Sequence, residues 1–449
     1  MNNNKTRLAP LHLVSLVTTD MAGMTRGRSL PEAELEDQLS TGCGWVPANS
    51  ALTPQDVIAS DNPWGSHGDL RLLPDLASRA RVAAGPDADA PPLDFVQGNL
   101  VETDGTPWPV CPRTLLNDEI ERYRAQFGLK VLAAFEHEFN LLGLPSQEPT
   151  APAFSLQAQR ILGNFPGWLM SALDEAGAEP EMFLPEYGHA QYEVTCRPIH
   201  GVAAADRAVI VREVTREIAR QSGLRSCFSP LMQVGGVTTG VHLHISLQTL
   251  EGAPVMYQSG AENDLSPLAK HWAAGVLRHL PALCAITAPT AISYLRLKPH
   301  QWSSAYACLG SRNREAALRI CPVTRLGGRD PARQFNLEYR SMDATASPHL
   351  AMAAVLIAGR LGIEQRLPLG AVTDIDPDSM SEEERNIRGI CALPQDLASA
   401  LKLLTDDQQL CEQIPGPLLQ TYFAMKREEL ALTKDMSAEE LCVRYANLY

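Results

Sequence analysis

The 449-residue sequence lacks the features that mark secreted and membrane proteins. Its ten cysteines form no C-x-x-C pair, and most lie in apolar runs, as reduced core cysteines of cytosolic proteins do. The N-terminus has no cleavable apolar segment with a small-residue exit site. No apolar stretch reaches the roughly 20 residues that a membrane-spanning helix needs. We therefore expect a cytoplasmic protein with no membrane partner.

A basic surface is also missing from the sequence. The net charge is −14, and no basic stripe with interleaved aromatic residues occurs, so nucleic acid is not an expected partner. Internal repeats and low-complexity tracts are absent as well. The apolar content of 45% and the charged content of 20% are those of an ordinary globular protein. The length allows two domains with a large core.

Two regions differ in their patterns. Residues 1 to about 105 show short apolar runs broken by Gly, Pro and Asp, which predict a small strand-rich domain with long loops. A helix over 113–128 opens the second region, and the chain reads as helical after about 380. In between, strand-like runs at 131–142, 190–196, 241–247, 315–323 and 335–341 alternate with helices over about 201–222, 263–287 and 348–366. This pattern predicts an α+β fold with domains at 1–108 and 109–449.

Acidic side chains lie inside or next to these strand-like runs. They are Glu136, Glu138, Glu186, Glu193 and Glu338, accompanied by His242 and His244 on one strand face. A buried carboxylate without a partner costs several kcal/mol, so something must compensate these groups. One explanation is a set of salt bridges to arginines. The other is a site for hard cations, because five carboxylates and one imidazole suit Mg²⁺ or Mn²⁺.

Arginines form the second group of polar residues in the later strands. They are Arg296, Arg312, Arg314, Arg319 and Arg340. The guanidinium group presents a planar fork to carboxylates and phosphates. Divalent metals and arginines facing one cavity favour phosphoryl transfer, in which positioning and charge neutralisation supply most of the catalysis. The alternative, strongest for Arg312, is that some arginines only balance the glutamates.

Several segments, taken in order, resemble the glutamine synthetase superfamily, and in character most closely its γ-glutamyl-amine ligases. They are GDLRLLPD, FEHEF, PEYGHAQYE, GVHLHIS, APTAISYLRL, RNREAALRI and LEYRSMDATASPHLAMAAVLIAG. The resemblance implies a β-grasp N-terminal domain and a catalytic domain with a curved antiparallel sheet. It also implies ATP and two or three Mg²⁺ or Mn²⁺ ions per site. Homo-oligomers are implied too, as a hexameric ring or dodecamer with each active site between subunits.

The resemblance also assigns roles to individual residues. Three glutamates, Glu138, Glu186 and Glu193, would hold one metal, and a second set, Glu136, His242 and Glu338, would hold another. The nucleotide would contact His244, Ser246 and Arg319. Glutamate would bind at Arg296 and Gly240. The arginines that would stabilise the transferring phosphoryl group and the acyl phosphate are Arg314, Arg319 and Arg340.

Both carboxylates that the family uses to bind ammonium are missing. The family's Asp in D-G-S-S aligns with Pro47, and the Glu six residues after the position of Arg296 is Trp302. Ammonium would therefore lack a charged anchor and a general base. An aromatic rim with Trp302 or Trp45 favours an organic amine, through stacking or cation–π contact. The alternative is that Trp302 only packs at a subunit boundary.

The leading hypothesis is therefore a ligase that joins the γ-carboxylate of glutamate to an organic primary amine through an acyl phosphate. V-T-T-G at 237–240 replaces the family's N-G-S-G, so another acid substrate stays open. A distal carboxylate for a polyamine is not evident, which favours a monoamine. Two alternatives are an ordinary glutamine synthetase that uses ammonium and a non-catalytic structural or regulatory member. The second would show eroded metal ligands, whereas all six are present.

Overall fold

The structure, a computed structural model, describes residues 10–144, 151–301 and 305–449. These residues form two β-sheets with helices packed on them, which confirms the predicted α+β class. Among the helices of these residues, none is long and apolar enough to cross a membrane.

The first region contains a six-stranded sheet in the order β2-β1-β6-β4-β3, with β5 also paired to β6. The β1–β6 pair is parallel and the other pairs are antiparallel. The elements are β1 (Leu13–Thr19), β2 (Thr25–Pro31), α1 (Leu35–Gln38), β3 (Cys43–Trp45), β4 (Leu70–Pro74), β5 (Ala80–Val82) and β6 (Leu93–Glu102). Long loops join several of them, as the Gly, Pro and Asp content of this region predicts.

The second region contains a ten-stranded sheet in the order β16-β13-β14-β15-β12-β7-β9-β8, with β10 and β11 also paired to β7. All these pairs are antiparallel except β13–β14. The strands are β7 (Leu129–Leu142), β8 (Pro180–Pro185), β9 (Gln191–Cys196), β10 (Ile199–His200), β11 (Arg225–Cys227), β12 (Val241–Thr249), β13 (Tyr306–Gly310), β14 (Ala316–Ile320), β15 (Leu337–Tyr339) and β16 (Cys391–Ala392).

Helices cover the second sheet and form the C-terminal part of the chain. They are α2 (Pro112–Phe127), α3 (Leu156–Arg160), α4 (Phe165–Glu175), α5 (Ala203–Gln221), α6 (Pro267–Thr287), α7 (Ser293–Arg296), α8 (Pro331–Gln334), α9 (Pro348–Glu364), α10 (Glu382–Arg388), α11 (Leu397–Asp406), α12 (Gln408–Cys411), α13 (Gly416–Thr433) and α14 (Ala438–Leu448). The predicted helices match α2, α5, α6 and α9. The predicted helical region after about 380 contains α10 to α14, and it is interrupted only by β16 among the described strands, which is too short to leave a pattern in the sequence.

Local sequence signals explain where these elements begin and end. Helix α2 begins with Pro112 and ends at Gly128, whose φ of 65° suits glycine best. Helices α6 and α9 cross in very close contact, because a Cβ atom on Gly275 would lie 2.2 Å from the carbonyl oxygen of Ala358. Since α9 is almost wholly buried and two thirds of α6 is buried, this contact lies in the core that supports the sheet.

Candidate active site

The strand register brings the predicted polar residues onto one face of the large sheet. Glu136 of β7 lies opposite His242 of β12, and Glu138 of β7 lies opposite Glu193 of β9. Glu338 of β15 lies opposite His244 on one side and opposite Arg319 on the other. Because side chains alternate along a strand, residues two apart share a face, and the register aligns these faces across five strands.

This polar face lines a cavity of about 920 Å³, which we call the central cavity. Twelve of the residues singled out from the sequence line it: Glu136, Glu138, Glu186, Glu193, Gly240, His242, His244, Arg296, Arg314, Arg319, Glu338 and Arg340. Ser246 lies instead in an adjoining cavity of about 290 Å³, which shares Glu136 and His244 with the central cavity. The two cavities together can hold a ligand with one end among the carboxylates.

One candidate cation site consists of Glu136, His242 and Glu338. One potential ligand atom from each residue lies within 4.8 Å of the other two. The Nδ1 atom of His242 is 3.3 Å from Oε2 of Glu136 and 3.6 Å from Oε1 of Glu338. Two carboxylates and an imidazole at such distances form a donor set that suits a hard divalent cation.

Glu338 also forms salt bridges to arginines, which was the other explanation for carboxylates on these strands. Arg319 donates to its Oε2 atom at 2.8 Å, and Arg340 donates to its Oε1 atom. Burial alone would raise the pKa of Glu338, but Arg340 and the nearby histidines lower it to about 2. Glu338 therefore stays ionised at neutral pH, with both oxygens oriented by guanidinium groups.

The other three glutamates face each other with little compensation. Glu138 accepts hydrogen bonds from the Gly240 N–H at 2.8 Å and from Gln191 at 3.3 Å. Burial raises the pKa of Glu138 to about 7. Burial, and then the charge of Glu136, raises the pKa of Glu193. In the part of the chain that the structure describes, none of Glu138, Glu186 and Glu193 forms a salt bridge.

The raised pKa values mean that burial and mutual repulsion disfavour the ionised form of this second cluster. Buried carboxylates with raised pKa values are disfavoured as anions until a cation joins them. Glu186 completes the cluster from the segment between β8 and β9, next to a strand as the sequence pattern indicated. Burial raises its pKa as well.

His244 is held between the two cavities by specific hydrogen bonds. Its Nε2 atom is 3.1 Å from Oε2 of Glu136, and its Nδ1 atom is 2.9 Å from Oδ1 of Asn336. Burial opposes its protonation, but contacts with Cys321 and Glu136 hold its pKa well above the ordinary value. The imidazole therefore presents positive charge beside the carboxylates.

Three further residues of the site escaped the sequence analysis. Asn336 contacts His244, Cys321 lies 3.6 Å from Oε2 of Glu338, and Gln191 donates to Glu138. Each lies two residues from a predicted site residue along a strand-like run. The same period-two rule that identified the glutamates would have identified these neighbours too.

Arg296 ends α7 beneath the cavity and is 2% exposed. It donates to the carbonyl oxygen of Arg340 at 3.1 Å. A Cβ atom on Gly240 would lie 2.4 Å from Nη2 of Arg296, so only glycine leaves room for this guanidinium. The Gly240 backbone and the Arg296 guanidinium are therefore in close contact. That they bind glutamate stays a prediction.

Trp45, one of the two tryptophans predicted to contact the amine, is placed differently from the prediction. Trp45 is 6% exposed and packs in the core, so its ring is not a wall of the cavity in its own chain; this corrects the sequence-based interpretation. Pro47 is also buried, against Gly68. Trp302 lies outside the described residues. Among the described residues, the Phe and Tyr rings that line the cavity are those of Phe154 and Tyr187. They are in edge-to-face contact, with ring centroids 4.7 Å apart.

Two family models match the sequence. The model described as the glutamine synthetase catalytic domain matches residues 109–443, and the model described as the glutamine synthetase N-terminal domain matches residues 2–108. Together they cover nearly the whole chain.

Individual proteins give the same result. The chain is 33% identical over 442 residues to gamma-glutamylpolyamine synthetase GlnA3 of Streptomyces coelicolor, covering 97% of this chain and 93% of that protein. It is 30% identical over 416 residues to the glutamine synthetase of Pyrococcus furiosus, covering 90% of this chain and 87% of that protein. A crystal structure described as a novel glutamine synthase homolog has 68% identity and a TM-score of 0.92, and the match covers 99% of this chain and 100% of that chain.

Proposed function

We propose that this chain, which belongs to the glutamine synthetase family and is thus an ATP-dependent ligase that forms C–N bonds, joins the γ-carboxylate of glutamate to an organic primary amine. The observation that carries the proposal is the central cavity. It brings two carboxylate clusters together with four arginines, Arg296, Arg314, Arg319 and Arg340. That combination suits phosphoryl transfer to a carboxylate, because the transferred group and the acceptor are both anionic.

The residues present fit the divalent cations that the family uses. Glu138, Glu186 and Glu193 would hold one ion, and a second set, Glu136, His242 and Glu338, would hold another. Two or three Mg²⁺ or Mn²⁺ ions per site would neutralise the charge of the nucleotide phosphates. The mutual proximity of carboxylates with raised pKa values supports this assignment.

The arginines would bind the substrate carboxylate and stabilise the transferring phosphoryl group. Arg296, beside the Gly240 backbone, is suited to the α-carboxylate of glutamate, since a guanidinium presents a planar fork to a carboxylate. Arg319 and Arg340 already orient Glu338 and lie where they can stabilise the phosphoryl group and the acyl phosphate. Arg314 lines the same cavity and would join them.

ATP would enter through the adjoining cavity. His244 belongs to both cavities, and Ser246 supplies a hydroxyl group in the adjoining one. The aromatic ring of Phe335 and the guanidinium of Arg333 line the same space. A planar base can therefore pack there while its phosphates reach the carboxylate clusters.

The missing ammonium carboxylates favour an organic amine as the nucleophile. Pro47 and Trp302 provide no charge, and the likeness to a gamma-glutamylpolyamine synthetase supports the same class of substrate. The likeness to an archaeal glutamine synthetase keeps ammonium as the second candidate. Phe154, Tyr187 and Met182 give the cavity an apolar side that suits the carbon skeleton of an amine.

We also propose that the protein works as a homo-oligomer, a hexameric ring or a dodecamer, with the first domain of one subunit next to the site of another. None of the described residues before 109 lines the central cavity of its own chain. Light scattering coupled to size-exclusion chromatography tests this proposal. A monomer that is fully active would contradict it.

The function is tested by phosphate release from ATP with glutamate and a panel of primary amines, using Mg²⁺ or Mn²⁺. We expect turnover with organic amines and formation of the γ-glutamylamide by mass spectrometry. Equal or faster turnover with ammonium would favour the ordinary glutamine synthetase. No turnover with any pair of carboxylate and amine would favour a non-catalytic member.

A further inference from the structure

Gln191 of β9 contacts three segments that line the central cavity. Its side chain is buried, with 2% of the residue exposed. The amide oxygen Oε1 accepts a hydrogen bond from the Gly188 N–H at 2.8 Å. The amide nitrogen Nε2 donates to the carbonyl oxygen of Thr238 at 2.8 Å and lies 3.3 Å from Oε2 of Glu138 and 3.2 Å from Oγ1 of Thr239. One amide group therefore connects parts of the site that are far apart in the chain.

The partners of this amide fix its orientation. A backbone N–H can only donate and a backbone carbonyl can only accept, so the contacts with Gly188 and Thr238 determine which end is the oxygen. The backbone also leaves room for the amide, because a Cβ atom on Gly188 would lie 2.5 Å from Oε1 of Gln191. An ionised glutamate side chain at this position would lack the donor, and a leucine side chain would lack both groups.

The connected segments carry different parts of the proposed site. The segment before Gln191 carries Glu186, which lies with Glu138 in the second carboxylate cluster. The segment on the other side ends at Gly240, whose N–H donates to the same Oε2 atom of Glu138 at 2.8 Å. Gly240 is also in close contact with Arg296, the residue proposed to bind the α-carboxylate of glutamate. Gln191 and Gly240 thus hold one carboxylate oxygen between the proposed cation site and the proposed glutamate subsite.

A second amide joins the same segments. Asn140 of β7 lies opposite Gln191 in the strand register. Its Oδ1 atom accepts a hydrogen bond from the Thr239 hydroxyl at 3.1 Å, and its Nδ2 atom donates to the carbonyl oxygen of His189 at 3.2 Å. A buried network whose members are satisfied makes the groups that it joins rigid. The two amides therefore hold the segments on either side of Glu138 in a fixed relation.

We propose that Gln191 is a positioning residue that couples cation binding at Glu138 and Glu186 to glutamate binding beside Gly240. This inference rests on the proposed function, because it assumes that a divalent cation and glutamate both bind in the central cavity. The amide of Gln191 is then the group through which binding at one of these places changes the affinity at the other.

Coupling of this kind is reciprocal. If the cation raises the affinity for glutamate by some factor, glutamate raises the affinity for the cation by the same factor, which typically lies at about 5–150-fold. The cation and the carboxylates of glutamate also attract each other directly, without Gln191. The part of the factor that belongs to Gln191 is therefore the part that disappears when its amide is removed.

The test measures glutamate binding by isothermal titration calorimetry, with and without Mn²⁺, in wild type and in Gln191→Leu. Leucine fills a similar space but has neither donor nor acceptor. Thr239→Val is a second variant, which removes only the hydroxyl group that links the two amides. Gln97→Leu is the matched control. Gln97 is 1% exposed, donates to the carbonyl oxygen of Asp206 at 2.9 Å, and is not one of the described residues that line the central cavity.

In Gln191→Leu, we expect the factor by which Mn²⁺ raises the affinity for glutamate to fall at least about fivefold. The Mn²⁺ concentration that gives half-maximal phosphate release should rise about 10–100-fold, as is usual when a partner of a metal ligand is removed. The KM for glutamate should rise, while the KM for ATP stays within about threefold of wild type. Thr239→Val should show a smaller loss of coupling, and Gln97→Leu should lose stability but keep the wild-type coupling.

Wild-type coupling in the folded variants would overturn the inference, because direct attraction would then account for all of it. An equal loss in Gln97→Leu would overturn it too, since the effect would reflect general destabilisation. If wild type binds both ligands without coupling, the inference fails and the proposed function stands. If wild type binds neither, both fail. Thermal unfolding shows which variants are folded, and Thr239→Val decides the test if Gln191→Leu is not.

Discussion

Glu138→Gln should make the metal-free protein more stable at alkaline pH, although it removes a proposed metal ligand. Burial raises the pKa of Glu138 from 4.5 to about 7. Between pH 4.5 and about 7, Glu138 is therefore protonated in the folded chain and ionised in the unfolded chain. Ionised Glu138 opposes folding increasingly as the pH rises from 4.5 to 7, and by a constant amount above it.

The size of the effect follows from the same interval. At about 1.4 kcal/mol per pH unit, the difference between 4.5 and about 7 corresponds to about 3 kcal/mol. Glutamine removes this cost and still accepts the hydrogen bond from the Gly240 N–H. With an unfolding entropy of about 2 cal/mol/K per residue, a chain of 449 residues gains about 3 °C in its unfolding midpoint.

The assay is thermal unfolding in a chelator at pH 5 and at pH 8, followed by the same measurement with Mn²⁺. We expect a difference of only about 1 kcal/mol between wild type and variant near pH 5, and the full difference at pH 8. Saturating Mn²⁺ should stabilise wild type more than the variant, because the cation compensates the ionised carboxylate. Glu121→Gln, an exposed glutamate in a surface pair with Arg124, is the control and should change little.

A lower midpoint of Glu138→Gln at pH 8 without metal would refute this reasoning. It would mean that ionised Glu138 stabilises the empty site, and that its partners within the chain suffice. The carboxylate would then be a structural ion, and the proposed cation site would lose its main physical argument.

Three other predictions concern activity and packing. Glu136→Gln and Glu338→Gln should each reduce amine-dependent phosphate release by more than about 100-fold while the circular dichroism spectrum stays unchanged; wild-type rates in either would contradict the metal assignment. Arg296→Gln should raise the KM for glutamate at least tenfold with little change in the KM for ATP, since a charged hydrogen bond contributes about 1.5–3 kcal/mol; an unchanged KM for glutamate would remove Arg296 from the substrate site. Trp45→Phe should lower the unfolding free energy by about 1–3 kcal/mol, because its ring is buried, and should leave the KM for the amine within about twofold; a large rise in that KM would return Trp45 to the amine pocket.

The carboxylate face was predictable because strands impose a simple rule on the sequence. Glu136 and Glu138 are two residues apart in an apolar run, and the same holds for His242 and His244. Charged residues at such positions cannot be explained by packing. The pattern therefore indicated both the strands and a polar sheet face, and the register in the structure aligns that face across neighbouring strands.

Residues outside regular strands were not predictable in this way. Trp45 lies on the three-residue strand β3, which is too short for a pattern to indicate whether its ring faces the core or a cavity. His300 lines the central cavity from the loop after α7, and the carboxylates that its imidazole faces, Asp376 and Asp378, lie more than 70 residues further along the chain. No periodicity connects such positions, because loops follow no repeating geometry.

The register of these five strands limits where residues can be inserted into the chain or deleted from it. A single residue inserted or deleted between the start of β7 and Glu136 would shift the register of part of the strand by one residue. The carboxylates of that part would then point to the opposite face of the sheet. The strands that carry the site should thus accept substitutions but resist insertions and deletions. Length differences among natural variants should occur in the connections between these strands, where the register of the sheet does not have to be kept.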